Sequence, residues 1–175
     1  MSDKKKILFV EDNINDIELT LTALAEYGLA NEVIVVNDGE EALDYLLCKG
    51  HFASRPRSLP VVVLLDVKLP KIDGLEVLKK MRSDPELKVI PVVMLSSSRE
   101  EKDLLTSYAF GASAYVVKPL DFSEFVATIK QLGLFWVIIN EPPPGIERMP
   151  RDMSVIKVAK ELLWKINQKG GEPAQ

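Results

Sequence analysis

Residues 61–74 read VVVLLDVKLPKIDG. Five consecutive apolar residues, Val61 to Leu65, are too few for a helix and lack the alternation of a half-exposed strand. They fit a strand buried on both faces. The run then ends on Asp66, a carboxylate that resists burial unless it is paired. Two readings are open for such a residue. It either begins a surface turn, or it is held at the rim of a sheet for a chemical purpose.

The rest of the chain repeats the motif of the short apolar run. Residues 7–10, 33–36, 92–95 and 114–117 are of the same kind, and helix-length patterns lie between them. Ile14, Ile17, Leu21, Leu24 and Ala25 recur at helical spacing up to Gly28, a candidate C-terminal glycine. Leu43, Leu46 and Leu47 mark a second helix, and Leu75, Leu78 and Met81 a third that closes before Asp84-Pro85. Ser98 with Glu101, and Asp121 with Glu124, have the spacing of capping boxes opening a fourth and a fifth. Strands that alternate with helices pair in parallel through right-handed crossovers. The expected fold is therefore α/β, a doubly wound five-stranded parallel sheet with helices on both faces.

Composition narrows the function. The chain has 175 residues, 47% hydrophobic and 27% charged, enough for one ordinary core and an appendage. A net charge of −4 and the lack of a basic stripe argue against nucleic-acid binding. Lys4-Lys5-Lys6 reads as a solvated N-terminus, because the apolar run behind it stops at Glu11 and is too short for a signal peptide. No run approaches the ~20 apolar residues of a membrane span. A lone Cys48 fits a reducing, cytoplasmic setting and reads as a buried thiol. A lone His51 makes a zinc site improbable and reads as a loop residue.

In sheets of this kind ligands lie beyond the carboxyl ends of the strands. The first strand delivers Glu11-Asp12 there, the third Asp66, the fourth Ser96 and the fifth Lys118-Pro119. Three carboxylates gathered in one place repel unless a cation separates them, and oxygen ligands without His or Cys suit magnesium or a similar ion. Between such an ion and the Lys118 ammonium, a phosphoryl group would find its charge balanced, with the Ser96 hydroxyl as a donor. Asp66 is the natural nucleophile, since a carboxylate can form an aspartyl phosphate.

Glu11-Asp12, Asp66, Ser96 and Lys118-Pro119, with Tyr115 three residues before the lysine, resemble the receiver domain of two-component response regulators over about residues 5 to 133. The resemblance implies the flavodoxin-like strand order 2-1-3-4-5 and Asp66 as the phosphoacceptor. It implies Mg2+ (or Mn2+) held by Asp12, Asp66 and the backbone carbonyl of Lys68, with Glu11 acting through water. Ser96 and Lys118 would contact the phosphoryl group and Tyr115 would be the switch aromatic. The Lys118–Pro119 bond would be cis, a form that X-Pro bonds tolerate at low cost. The segments KGHFASRPRSLP, LPKIDGLEVLKKMRSDPELKVIPVV and LGLFWVIINEPPP are similar to those of stand-alone regulators that pair with bacterial phytochrome-type sensor kinases. A sensor histidine kinase is thus the implied partner, and a histidine phosphotransfer protein a further one.

Two departures from common receiver patterns stand out. Ser96 occupies a position where Thr is frequent. Lys68, two residues past the acceptor, is long and charged, which bears on the lifetime of the phosphoryl group. Rival readings are a degenerate receiver that only binds proteins, a flavodoxin-like binding module and a magnesium-dependent phosphatase with an aspartyl nucleophile. The last usually has a second acid where this chain has Lys68, and the binding module gives no reason for Glu11-Asp12 and Lys118.

The receiver is expected over residues 1–140, and a proline-rich linker with an amphipathic helical tail over 141–175. Residues 135–140 are bulky and apolar and read either as a continuation of the fifth helix or as an extended segment; left on the surface they suit a homodimer. Glu141-Pro142-Pro143-Pro144-Gly145 should break a helix and run as polyproline. Residues 152–168 have a helical stripe of Ile156, Ala159, Leu163 and Ile166.

Overall fold

The computed structural model describes residues 6–144 and 146. All five apolar runs are strands: β1 (Ile7–Val10), β2 (Val33–Val36), β3 (Val62–Asp66), β4 (Val92–Ser96) and β5 (Ala114–Val117). They form one sheet, β2-β1-β3-β4-β5, and every pairing is parallel. The three inner strands are buried at every residue, as their unbroken apolar character requires. Edge strand β5 is half-buried throughout.

Five helices return the chain between strands: α1 (Ile14–Ala25), α2 (Gly39–Leu47), α3 (Gly74–Ser83), α4 (Glu101–Ala109) and α5 (Phe122–Gly133). Helices α1 and α5 pack on each other, as do α2 with α3 and α3 with α4, which gives the two helical layers of a doubly wound sheet. Four helices start on a carboxylate or amide that accepts backbone N–H groups: Asn13, Asp38, Asp73 and Asp121. Helix α4 does not. The Ser98–Glu101 capping box is absent, because Ser98 Oγ accepts from Glu100 N while its own N–H is held by Ser96 Oγ. Glu100 caps α4 without a side-chain hydrogen bond.

Two smaller expectations need correction. Cys48 is half-buried rather than buried, and it ends α2 in the left-handed conformation at φ 53°. His51 belongs to a short 3-10 turn, Gly50–Phe52, and lies 3.4 Å from Glu41 Oε1.

Beyond Gly133, residues Leu134–Ile139 continue α5 as a π-helix, which decides between the two readings of this segment. The approach to α1 at the junction is close: a Cβ on Gly133 would stand 2.5 Å from Leu24 Cδ2. Phe135 and Ile139 remain exposed. The segment expected to run as polyproline instead enters a turn at Pro144. Ile146 N donates to Pro143 O, and the Ile146 side chain is buried against the core, which turns the chain back onto the sheet domain. The amphipathic stripe of residues 152–168 lies outside the described residues.

Candidate functional site

The carboxyl ends of β1, β3, β4 and β5 meet because neighbouring strands are in register there. Val10 pairs with Leu65, Asp66 with Leu95 and Ser96 with Val117. The residues that follow each strand therefore face a common space.

Asp66 is buried at the end of the central strand. Its Oδ1 accepts the Lys68 N–H at 2.8 Å, and Gly74 N donates to Val67 O at 2.9 Å, so the loop after β3 folds tightly beneath it. Glu11 is 1% exposed. Its backbone N–H donates to Val36 O, its carbonyl accepts from Asn37 Nδ2, and its Oε1 accepts from Asn13 N at 3.0 Å.

Lys118 joins the two acids. Its N–H donates to Ser96 O at 2.7 Å, which fixes the end of β5 on the end of β4. Its buried ammonium donates to Glu11 Oε2 at 2.5 Å, to Asp16 Oδ2 at 2.9 Å and to Asp66 Oδ2. One ammonium between two buried carboxylates leaves the site short of positive charge. Burial pushes the Glu11 carboxyl up to about 7 against the lowering pull of Lys118. The Lys118 ammonium is held above its ordinary value by Asp66 and Glu11, which outweigh the opposing effect of its own burial.

Asp12 stands apart from this cluster as an exposed side chain. Among the described residues no three acidic, His or Cys side chains are grouped closely enough to hold a metal ion. With Lys118 as the available cation, Glu11 and Asp66 turn to it and Asp12 stays in solvent. The donor set nevertheless fits a hard divalent ion: oxygen ligands alone, on two elements, including a Glu11 carboxyl that burial raises to about 7 despite the ammonium beside it.

Ser96 is fully buried, and its Oγ accepts from Ser98 N at 3.0 Å. Tyr115 is half-buried, and its hydroxyl donates to Ser98 O at 3.2 Å, which ties the aromatic to the loop that Ser96 begins. The cis Lys118–Pro119 bond is not found: among the described residues no peptide bond is cis. The trans form is the intrinsically cheaper one. Leu120 beyond it is 102% exposed, so no packing contact of that residue favours the alternative.

Asp16 and Asp103 were not singled out in the sequence. Asp16 lies one helical turn after Asp12, on the α1 turn nearest the strand ends, a spacing that could have revealed it. Asp103 had no comparable signal.

The model of the response regulator receiver domain family matches residues 7–130, which include every residue of this site. The chain belongs to that family. Response regulator Rcp1 of Synechocystis sp. is 36% identical over 141 residues, 78% of this receiver and 95% of Rcp1. A crystal structure of a Mn(2+)-bound form of response regulator Rcp1 superposes with a TM-score of 0.72 at 34% identity, covering 79% of this chain and 99% of that one. The phosphorylated cyanobacterial phytochrome response regulator RcpA matches with a TM-score of 0.75 at 43% identity, over 80% of this chain and 99% of that one. The bacteriophytochrome response regulator RtBRR is 49% identical with a TM-score of 0.64, and 98% of each chain is covered. The receiver is thus a phosphoacceptor signalling protein of the two-component type, and receivers of this family act with sensor histidine kinases. No helix among the described residues is long and apolar enough to cross a membrane.

Proposed function

We propose that this receiver takes a phosphoryl group onto Asp66 from a sensor histidine kinase of the phytochrome type, in the cytoplasm. The observation that supports it best is the Lys118 ammonium held between Asp66 and Glu11 at the end of the central strand. A bond forms between an Asp66 oxygen and phosphorus as the phosphorus–nitrogen bond to the donor histidine breaks. The Asp66 carboxylate is held for that attack by the Lys118 ammonium and oriented by the Lys68 N–H. Lys118 can follow the developing charge onto the phosphoryl oxygens, where Ser96 can add a hydroxyl donor. Glu11, Asp12, Asp66 and the Lys68 backbone carbonyl would hold Mg2+ or Mn2+, whose role is to neutralise the phosphoryl charge.

The signal would leave through Ser96 and Tyr115. If Ser96 turns to the phosphoryl group, its bond to Ser98 N is released, and the carbonyl that anchors Tyr115 can move with that loop. Residues 1–140 carry this chemistry. The exposed Phe135 and Ile139 on the continuation of α5 suit a homodimer. Onward transfer to a histidine phosphotransfer protein is the matching output reaction. The protein promotes its own phosphorylation and dephosphorylation and does not turn over a substrate.

Incubation with magnesium and a small phosphodonor, followed by intact mass measurement, tests the proposal. One added phosphoryl group that Asp66→Asn prevents is expected. Many equivalents of donor hydrolysed with no adduct accumulating would mean a phosphatase, and neither adduct nor hydrolysis a binding module only.

A further inference from the structure

Asp103, in the first turn of α4, is a buried carboxylate with an oxygen to spare. Its side chain is 11% exposed, and Oδ2 has no hydrogen-bond partner. Ser107, one turn further along the helix, also has a buried hydroxyl without a partner, so it does not relieve Asp103. The cation facing Asp103 is the ammonium of Lys68, 3.9 Å away. That distance is beyond a charge-assisted hydrogen bond but within ion-pair range.

Lys68 comes from the other side of the site. Its N–H donates to Asp66 Oδ1, which places its backbone directly beside the acceptor, while its side chain is 70% exposed. A buried carboxylate without a partner is costly, so Asp103 draws the ammonium towards α4 and away from Asp66. A phosphoryl dianion on Asp66 would make a second claim on that ammonium.

We propose that Asp103 is a positioning residue that holds the Lys68 side chain off the phosphoryl group and so shortens the life of phosphorylated Asp66. The inference rests on Asp66 being the acceptor. Hydrolysis forms a bond from a water oxygen to phosphorus and breaks the bond from phosphorus to the Asp66 oxygen. Asp66 regains its carboxylate, and both water protons leave on inorganic phosphate. Lys68 is a donor only and cannot take a proton from that water. Drawn over the phosphoryl group, its methylene stem would cover the approach of water to phosphorus. Held by Asp103, it does not.

A double-mutant cycle on the full chain tests this. Each protein is loaded with a small phosphodonor and magnesium, the donor is removed, and decay of the adduct is followed by intact mass. Asp103→Asn is expected to slow decay about fivefold, the scale of a partly exposed ion pair. In a Lys68→Gln background the same change should alter decay by less than about twofold, since the residue it acts through is gone. Asp103→Ser, smaller and also uncharged, should reproduce the slowing and stands in if the Asn variant misfolds. Unchanged or faster decay in these variants, or equal slowing with and without Lys68, overturns the inference and leaves Asp66 as the acceptor. Absence of an adduct on the parent chain overturns both readings.

Discussion

Gly74 lies so close beneath Asp66 that a Cβ on it would stand 2.0 Å from the Asp66 carbonyl oxygen. No side chain fits there unless the backbone moves, and the backbone in question carries the acceptor. Gly74→Ala is therefore expected to destabilise the fold by at least about 2 kcal/mol, as overpacking against immovable atoms does. Urea unfolding should show the lower midpoint. The surviving folded fraction should take up the phosphoryl group more slowly than the parent, because Asp66 and the Lys68 N–H that orients it are displaced together.

Lys118 is the cation shared by Glu11 and Asp66, and its removal separates stability from chemistry. Lys118→Met leaves two buried acids without their counter-charge, a loss that costs about 3–5 kcal/mol where neither acid can protonate. Glu11 can protonate, so the observed destabilisation should fall below that range and shrink as the pH is lowered. Adduct formation has no such relief. Its rate should fall by about 100-fold or more, as when one preorganised donor is removed from an oxyanion site. Stopped-time intact mass on folded protein would measure it.

The α/β fold was readable because each strand is an unbroken apolar run and each helix a periodic one, signals that depend on composition within a few residues. Glu11, Asp66, Ser96 and Lys118 were readable for a related reason: parallel strands release their next residues at one edge. The strand order itself came from resemblance to a family, since apolar runs do not say which neighbour each takes. Asp16 and Asp103 escaped notice because their roles depend on partners 102 and 35 residues away, Lys118 and Lys68. The α4 cap was misread for a similar reason. Ser98 has the right spacing, but its backbone is already engaged by Ser96 and Tyr115.

Glu11 gives the site a pH dependence whose sign can be stated. Its carboxyl is raised from 4.5 to about 7 in the folded chain. Between those values the folded state binds more protons than the unfolded state, so stability falls as pH rises through the window. The total change from this group is on the order of 1–3 kcal/mol. Denaturation of the metal-free protein at pH 5, 6 and 7 should show the decline, and Glu11→Gln should flatten it. Because a divalent cation favours the ionised carboxylate, Mg2+ affinity should rise across the same interval, and saturating Mg2+ should remove most of the loss.

Phe135 and Ile139 put the dimer reading at risk most directly. Both are large, apolar and exposed on the π-helical continuation of α5, whereas Leu134 just before them and Val137 between them are buried. Changing the outward pair therefore alters surface without opening the core. Phe135→Glu combined with Ile139→Lys is expected to shift the chain from dimer to monomer in sedimentation equilibrium, with association weakened by about 100-fold or more if these residues are central anchors. The thermal midpoint at low concentration, where the parent is also monomeric, should be nearly unchanged. A parent chain that sediments as a monomer at every concentration, or a double variant that still dimerises with parental affinity, would remove this surface from consideration.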